Sequence, residues 1–289
     1  MFFIGRSDNI RNTSARRVFE LWPSDGNVIL CFGACITGRN PAILLVTLTC
    51  AVFPYFSFMS TRVVEPDETS WPTSVWFLTL WLLLTVLLIL KIAFMDPGII
   101  PRRSLMEHIM NCNSEISLEE CRGITESIDG YKDTDGAVFC YTCEIHRPPD
   151  ASHCVDCNNC VLGFDHHCAV LNNCIGRRNY PYFMALLPCV IMLTVSFVMQ
   201  IRFPQSATRY SLPIVVLILR DVLMVFAVCM LIAITFFLMY HAWLLFWVQT
   251  TTKNHFRGRA NYRATVWERL KGYDSLIELR EQLNKKCIN

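Results

Sequence analysis

Four blocks of about 20 consecutive apolar residues limit what this 289-residue chain can fold into. They run over roughly 41–60, 75–94, 183–201 and 222–248. A stretch of that length matches the hydrocarbon thickness of a bilayer when helical. A helix also satisfies its own backbone polar groups where no water can. Pro54 and Pro188 fall inside the first and third blocks, which lipid-embedded helices tolerate because neighbouring groups take up the freed backbone partners. Trp71, Trp76, Trp243 and Trp247 cluster at block ends, where interfacial tryptophans anchor. The composition is 53% hydrophobic and 17% charged, against roughly 25% charged in soluble domains. A net charge of +2 gives no electrostatic reason to expect a nucleic-acid partner.

The expected architecture is a mainly α membrane protein: a four-transmembrane-helix bundle with a small cytosolic, β-rich, cysteine-rich module between spans 2 and 3. Residues 1–40 form an N-terminal segment, 41–94 carry spans 1 and 2, 95–182 form the central loop, 183–248 carry spans 3 and 4, and 249–289 form a tail. Most arginines fall on one side of this arrangement: Arg6, Arg11, Arg16, Arg17 and Arg39, then Arg102, Arg103, Arg177 and Arg178, then Arg257, Arg259 and Arg263 with Lys253. The connection between spans 3 and 4 holds only Arg202 and Arg209 before the Arg220–Asp221 pair. The connection between spans 1 and 2 is acidic, with Glu65, Asp67 and Glu68 beside Arg62. The positive-inside rule then places both termini and the central loop in the cytosol. The short apolar segment 27–37 reads as an interfacial strand or loop. Residues 103–136 read as a polar surface insertion, and 262–284 show helical patterning on Val266, Leu270, Leu276, Leu279 and Leu283. Residues 1–12 lack the apolar core of a cleavable secretory signal. No internal repeat is evident beyond the spans.

Seven of the fifteen cysteines and four of the seven histidines lie within 140–174. The run is Cys140-x2-Cys143-x9-His153-Cys154-x2-Cys157-x2-Cys160-x4-Asp165-His166-His167-Cys168-x5-Cys174. A disulfide framework has no use for histidines and does not persist in the cytosol, whereas a metal site uses both residue types. The knuckles Cys140/Cys143 and Cys154/Cys157 point to two tetrahedral zinc ions, which need eight ligands. The stretch offers eleven candidates, so three are spare, and spacing alone does not say which. His146 stands apart. The run from Asp165 to Cys168 is too crowded for every member to bind one ion. One of its histidines can face metal while Asp165, His166 and Cys168 face a common cleft. Acyl-transfer chemistry suits such a set: a thiolate attacks a thioester, an imidazole takes the thiol proton, and a carboxylate orients the imidazole.

These residues resemble the Asp-His-His-Cys (DHHC) family of protein S-acyltransferases, or palmitoyltransferases. The resemblance covers the cysteine-rich stretch with its spacings, Asn179-x3-Phe183, Asp96-Pro97-Gly98, and Thr251-Thr252 as the start of a Thr-Thr-x-Glu motif. It implies one zinc ion on Cys140, Cys143, His153 and Cys160 and another on Cys154, Cys157, His167 and Cys174. It implies Cys168 as nucleophile, His166 as base and Asp165 as orienter, with Asn179 in support and a hydrogen bond from Thr252 to Asp165. It further implies two-step transfer of a long-chain acyl group (palmitoyl) from acyl-CoA to cysteines of membrane-associated proteins. The acyl chain would lie between the spanning helices, and the setting would be ER, Golgi or plasma membrane, with an accessory subunit compatible with this plan. Two departures stand out: Ala169 and Val170 replace the usual Pro-Trp, and Asn254 replaces the Glu, which should keep hydrogen bonding but lose charge. Arg147, Arg177 and Arg178 are candidates for CoA phosphates, since guanidinium binds phosphate bidentately. Their other reading is positive-inside bias or contact with lipid headgroups. The rival functions are a catalytically silent, zinc-stabilised membrane adaptor and a thioester hydrolase.

Overall fold

A computed structural model describes residues 26–31, 35–64, 73–100, 102–104, 137–148, 150–202 and 214–256. The helical patterning over 262–284, and all but the first two residues of the 103–136 insertion, lie outside the described residues.

Four long helices follow the four apolar blocks: α1 (Pro41–Val64), α2 (Thr73–Phe94), α3 (Tyr180–Arg202) and α4 (Ile214–Trp243). Pro41 opens α1, where its missing N–H costs nothing and its fixed φ suits a first helical turn. Three helical stretches, Val75–Phe94, Tyr180–Met199 and Asp221–Val248, are long and apolar enough to cross a membrane, while α1 contributes the shorter apolar run Pro41–Phe56. Large apolar side chains such as Leu45, Trp76, Leu87, Phe226 and Phe236 stand exposed on these helices. Water would penalise so wide an apolar surface, whereas lipid would solvate it. The packed centre lies between α1, α2 and α3 and includes Leu44, Ile89, Ile92, Phe183 and Leu187. The Tyr55 hydroxyl and Thr79 Oγ1, 3.0 Å apart, hydrogen-bond α1 to α2. Helix α4 runs on into one π-helical turn, Leu244–Val248, and stops at Gln249 in the left-handed region (φ 56°). This wide turn redirects the chain into the short helix α5 (Thr252–Phe256).

The remainder is built from antiparallel hairpins. Strands β1 (Asn27–Leu30) and β2 (Cys35–Gly38) form an N-terminal hairpin, which makes the short apolar 27–37 segment a strand pair. The loop between α2 and α3 holds β3 (Ile99–Ile100) and three hairpins: β4 (Val138–Cys140) with β5 (Ile145–Arg147), β6 (Ser152–Cys154) with β7 (Asn159–Val161), and β8 (His166–Cys168) with β9 (Asn173–Ile175). Strand β3 adds to the edge of β7. Its entry is set by Asp96, whose Oδ1 accepts the N–H groups of Gly98 (2.9 Å) and Ile99 (3.0 Å). Gly98 sits at φ 109°, open only to glycine.

The three hairpins share one frame, and this corrects the expectation that no internal repeat exists. Cys140, Cys154 and Cys168 each close a first strand. Four residues later each turn is completed by a residue in the left-handed region: Glu144 (φ 55°), Asn158 (φ 49°) and Asn172 (φ 51°). The frame recurs every fourteen residues, placing His153 with His167, Cys143 with Cys157 and Cys160 with Cys174. Three substitutions break it. Phe139 and His146 occupy the His and last-Cys positions of the first hairpin, and Leu171 occupies the second-thiol position of the third. The repeat carries no common apolar pattern, so periodicity of hydrophobic residues does not reveal it.

Candidate metal centres and active site

Each potential metal site takes its knuckle from one hairpin and its remaining donors from the next. Cys140, Cys143, His153 and Cys160 bring their ligand atoms within 4.8 Å of one another, and so do Cys154, Cys157, His167 and Cys174. His153 Nδ1 lies 3.7, 3.5 and 3.8 Å from the sulfurs of Cys140, Cys143 and Cys160. His167 Nδ1 lies 3.8, 3.4 and 3.6 Å from those of Cys154, Cys157 and Cys174. A tetrahedral zinc ion with usual Zn–S and Zn–N bond lengths separates its nitrogen and sulfur ligands by about 3.6 Å, so these donor sets fit the ion. The Cys143 and Cys154 thiols are pulled below the ordinary thiol range, first of all by hydrogen bonds from Cys160 and Cys157 respectively. The same contacts push the Cys160 and Cys174 thiols up, first of all through their hydrogen bonds with Cys143 and Cys154, so each set crowds sulfurs that share protons until a metal ion displaces them. His146 stays apart, its ring tilted against Phe139 at 4.8 Å between centroids.

Cys168 belongs to neither donor set. It ends β8, is half-buried, and packs against the apolar centre of the helices. Asp165 and His166 stand beside it. Asp165 is buried (1% exposed). Its Oδ1 accepts a hydrogen bond from His166 Nδ1 at 3.0 Å and its Oδ2 accepts the backbone N–H of Thr252 at 3.0 Å. Burial pulls the His166 imidazole toward neutrality, but hydrogen bonds to Asp165 and then Cys168 outweigh it and push its pKa up to about 9. The imidazole is therefore protonated at neutral pH and lies between carboxylate and sulfur. The ring of Phe183 meets it edge-on at 5.3 Å.

Thr252 reaches Asp165, as the family resemblance implies, but through its backbone amide. Its hydroxyl is buried and finds no hydrogen-bond partner among the described residues. The physical reason is the start of α5: Thr252 is its first residue, so its N–H has no partner within the helix and is available to a carboxylate. Thr251 acts as the helix cap, its Oγ1 accepting the Asn254 N–H at 3.3 Å. Asn254 departs from expectation, because neither polar atom of its buried side chain finds a hydrogen-bond partner among the described residues. Asn179 joins the third hairpin to α3, its Oδ1 accepting the Gly176 N–H and its Nδ2 donating to the Cys174 carbonyl, each at 2.8 Å.

The three arginines do not converge. Arg177 Nη2 bonds Asp150 Oδ2 at 2.7 Å, and Arg178 Nη1 meets Asp96 Oδ2 at 3.4 Å. Both are engaged with carboxylates. Arg147, on β5, is half-buried and its Nε has no hydrogen-bond partner among the described residues.

Three residues near the site escaped the sequence reading. His241 in α4 is 1% exposed, and its ring centroid lies 6.0 Å from that of His166 and 5.1 Å from that of Phe183. An ionisable residue inside an apolar span is a default functional candidate, which was the available signal. Asn173 is fully buried, and its Nδ2 donates to the carbonyls of Ile92 (2.9 Å) and Met95 (2.8 Å) at the end of α2. Asn172 ties the same hairpin to the N-terminal one. Nothing in their local sequence distinguishes these asparagines from ordinary turn formers.

Comparison with known proteins agrees with this geometry. Residues 133–259 match the family model described as DHHC palmitoyltransferase. Over 260 residues the chain is 29% identical to probable protein S-acyltransferase 2 of Arabidopsis thaliana, covering 83% of this chain and 62% of that protein. Over 184 residues it is 33% identical to palmitoyltransferase ZDHHC9 of Homo sapiens, covering 58% of this chain and 48% of that protein. The chain thus spans between about half and two thirds of the length of these relatives. Through its cysteine-rich core and the helices that follow, the chain is similar to the DHHC palmitoyltransferases.

Proposed function

We propose that this chain is a protein-cysteine S-acyltransferase that carries a long-chain acyl group, with palmitoyl as the reference donor chain, on Cys168. The observation that supports this most directly is a sulfur outside both four-donor groups, two residues from an imidazole that is itself held by a buried carboxylate. In the first step the Cys168 thiolate attacks the thioester carbonyl of acyl-CoA. The tetrahedral intermediate collapses, the carbonyl–sulfur bond to CoA breaks, and CoA leaves with the proton held by His166. In the second step a substrate cysteine gives its proton back to His166 and attacks the Cys168 acyl-thioester, restoring the free thiolate. Asp165 holds the imidazole orientation and stabilises its charge throughout, and Thr252 N–H holds Asp165.

Two zinc ions, one in each four-donor group, would fix the hairpins and add positive field near Cys168. The four helices are read as four spans with the hairpins and both termini cytosolic. Cys168, beside Leu171 and Phe183 at the top of the helical core, would then receive an acyl chain that enters between helices. Each buried CH2 contributes about 0.8 kcal/mol to holding that chain. Val170 is open where the family places tryptophan, so chain-length preference should differ from that of relatives with the bulky ring. Arg147 is the better of the three arginine candidates for a CoA phosphate, since Arg177 and Arg178 already bind carboxylates. The substrates are membrane-associated proteins with cytosolic cysteines.

Purified protein incubated with labelled palmitoyl-CoA should take up hydroxylamine-sensitive label, and Cys168→Ser should abolish it. A silent adaptor would take none. A hydrolase would turn over acyl-CoA at the same rate with and without an acceptor cysteine peptide.

A further inference from the structure

The N-terminal hairpin lies outside residues 133–259, yet it grips the turn that carries Cys168. Asn172 completes that turn in the left-handed region (φ 51°). Its carbonyl accepts the Gly38 N–H at 2.6 Å and the Thr37 hydroxyl at 3.3 Å. Its side-chain Nδ2 donates to the Gly38 carbonyl at 2.9 Å, and its Oδ1 accepts the Asn40 N–H at 3.1 Å. A Cβ added at Gly38 would stand 2.6 Å from both oxygens of Asn172, so only glycine permits the approach. Thr47 of α1 adds a bond from its hydroxyl to the Val170 carbonyl at 2.8 Å.

The fourteen-residue frame explains why this turn needs outside support. In the first two hairpins the turn is fixed by two thiols aimed at one metal position. A single arginine then binds each left-handed carbonyl: Arg103 on Glu144 and Arg102 on Asn158. The third hairpin has Leu171 in place of the second thiol, so no metal can hold its turn. Like the first two turns it is closed by backbone hydrogen bonds, here from Leu171 N–H and Asn172 N–H to the carbonyls of Cys168 (3.2 Å) and Ala169 (3.0 Å). Any shift of Asn172 is thereby passed to the Cys168 backbone. We propose that the β1–β2 hairpin acts as a clamp in place of a metal, with Thr37, Gly38 and Asn172 as positioning residues that set the Cys168 sulfur against His166.

This inference rests on the acyltransfer reading above, and its test separates the two. Gly38→Ala and Asn172→Gly are compared with wild type in single-turnover self-acylation by palmitoyl-CoA, in zinc content, and in alkylation of Cys168 by iodoacetamide. The expected result is a tenfold or greater fall in the acylation rate, with KM for palmitoyl-CoA within twofold and two zinc ions retained. A misplacement of about 1 Å suffices for such losses. The double variant should be no more than about threefold slower than the worse single one, because both break the same contact. Should Gly38→Ala not assemble with two ions, Thr37→Val decides, with a fall of twofold or more expected. A zinc-replete clamp variant that acylates at the wild-type rate, or that changes only KM, overturns the clamp. Absence of label on the wild type sinks the enzyme reading instead. Iodoacetamide then still judges the clamp: a slowed Cys168 alkylation in Gly38→Ala supports it, and an unchanged one overturns it.

Discussion

The backbone contact between Thr252 and Asp165 makes an unusual prediction: a proline should do more harm than loss of the hydroxyl. Thr252 is the first residue of α5. Proline is tolerated there because that N–H has no intrahelical partner and the fixed φ suits a helix start. Thr251 lies outside the helix as its cap, a position whose usual extended backbone suits a following proline. Thr252→Pro therefore removes little except the 3.0 Å bond to Asp165 Oδ2. A hydrogen bond to a charged group contributes about 1.5–3 kcal/mol. If Asp165 must stay ionised and oriented in the transition state, the whole of that is expressed in rate, or about 10- to 150-fold at 1.4 kcal/mol per factor of ten. Thr252→Val removes only a buried oxygen without a hydrogen-bond partner among the described residues. Its rate should stay within about threefold of wild type, since deleting an unsatisfied polar atom is close to neutral. The assay is rapid-quench self-acylation at saturating palmitoyl-CoA, with zinc content as the control for folding. A valine variant slower than the proline variant, or a proline variant at the wild-type rate, would refute the reasoning.

Elemental analysis of the purified protein should find two zinc ions per chain, and His153→Ala and His167→Ala should each weaken one site while leaving the other filled. Asn173→Ala should lower the apparent melting temperature by roughly 5 °C or more, because it strips the carbonyls of Ile92 and Met95 of their buried donor; a shift under about 1 °C would contradict the anchoring role. His166 supplies a pH signature. Its folded pKa of about 9 lies above the ordinary 6.5, so the stability it contributes is complete below about pH 6.5 and is lost as pH rises through about 9. Melting temperature should fall across that window in wild type, and Asp165→Asn should move the fall to lower pH. Charge reversal of Arg147 should raise KM for palmitoyl-CoA at least fivefold with little change in the single-turnover rate at saturation, and an unchanged KM would reject a phosphate contact there.

The four long helices were legible because about twenty apolar residues nearly in a row admit few alternatives, and three of them are long and apolar enough to cross a membrane. The candidate metal donors were legible as a set, and the interleaved grouping that the family resemblance implied is the one in which the donor atoms gather within 4.8 Å. What stayed hidden belongs to the backbone. The amide of Thr252, the left-handed Asn172 and the Asn173 side chain under the end of α2 act through positions that depend on how distant segments meet. Asn172 and Thr37 are 135 residues apart, and no local pattern links them. Asn254 was misjudged for the same reason: its amide can hydrogen-bond in principle, but α5 buries it where no partner faces it among the described residues.

The fourteen-residue frame gives a topological account of why Cys168 is uncoordinated. Each donor set takes two thiols from one hairpin and a histidine with a cysteine from the next. Three hairpins in series can form only two such sets, because the last has no successor. Its knuckle is left over however strong its ligands are. Cys168 holds the first position of that knuckle and Leu171 the second, and Leu171 packs with Leu44, Ile89 and Phe183 in the helical core. The side chain that replaces a thiolate thus docks the hairpin onto the helices, while the remaining sulfur stays beside His166. A thiol left out of both donor sets by its place in a series, and held against the helical core by its neighbour, has the placement that the proposed acyl transfer needs, because a long-chain thioester has a polar reactive carbonyl and an apolar tail.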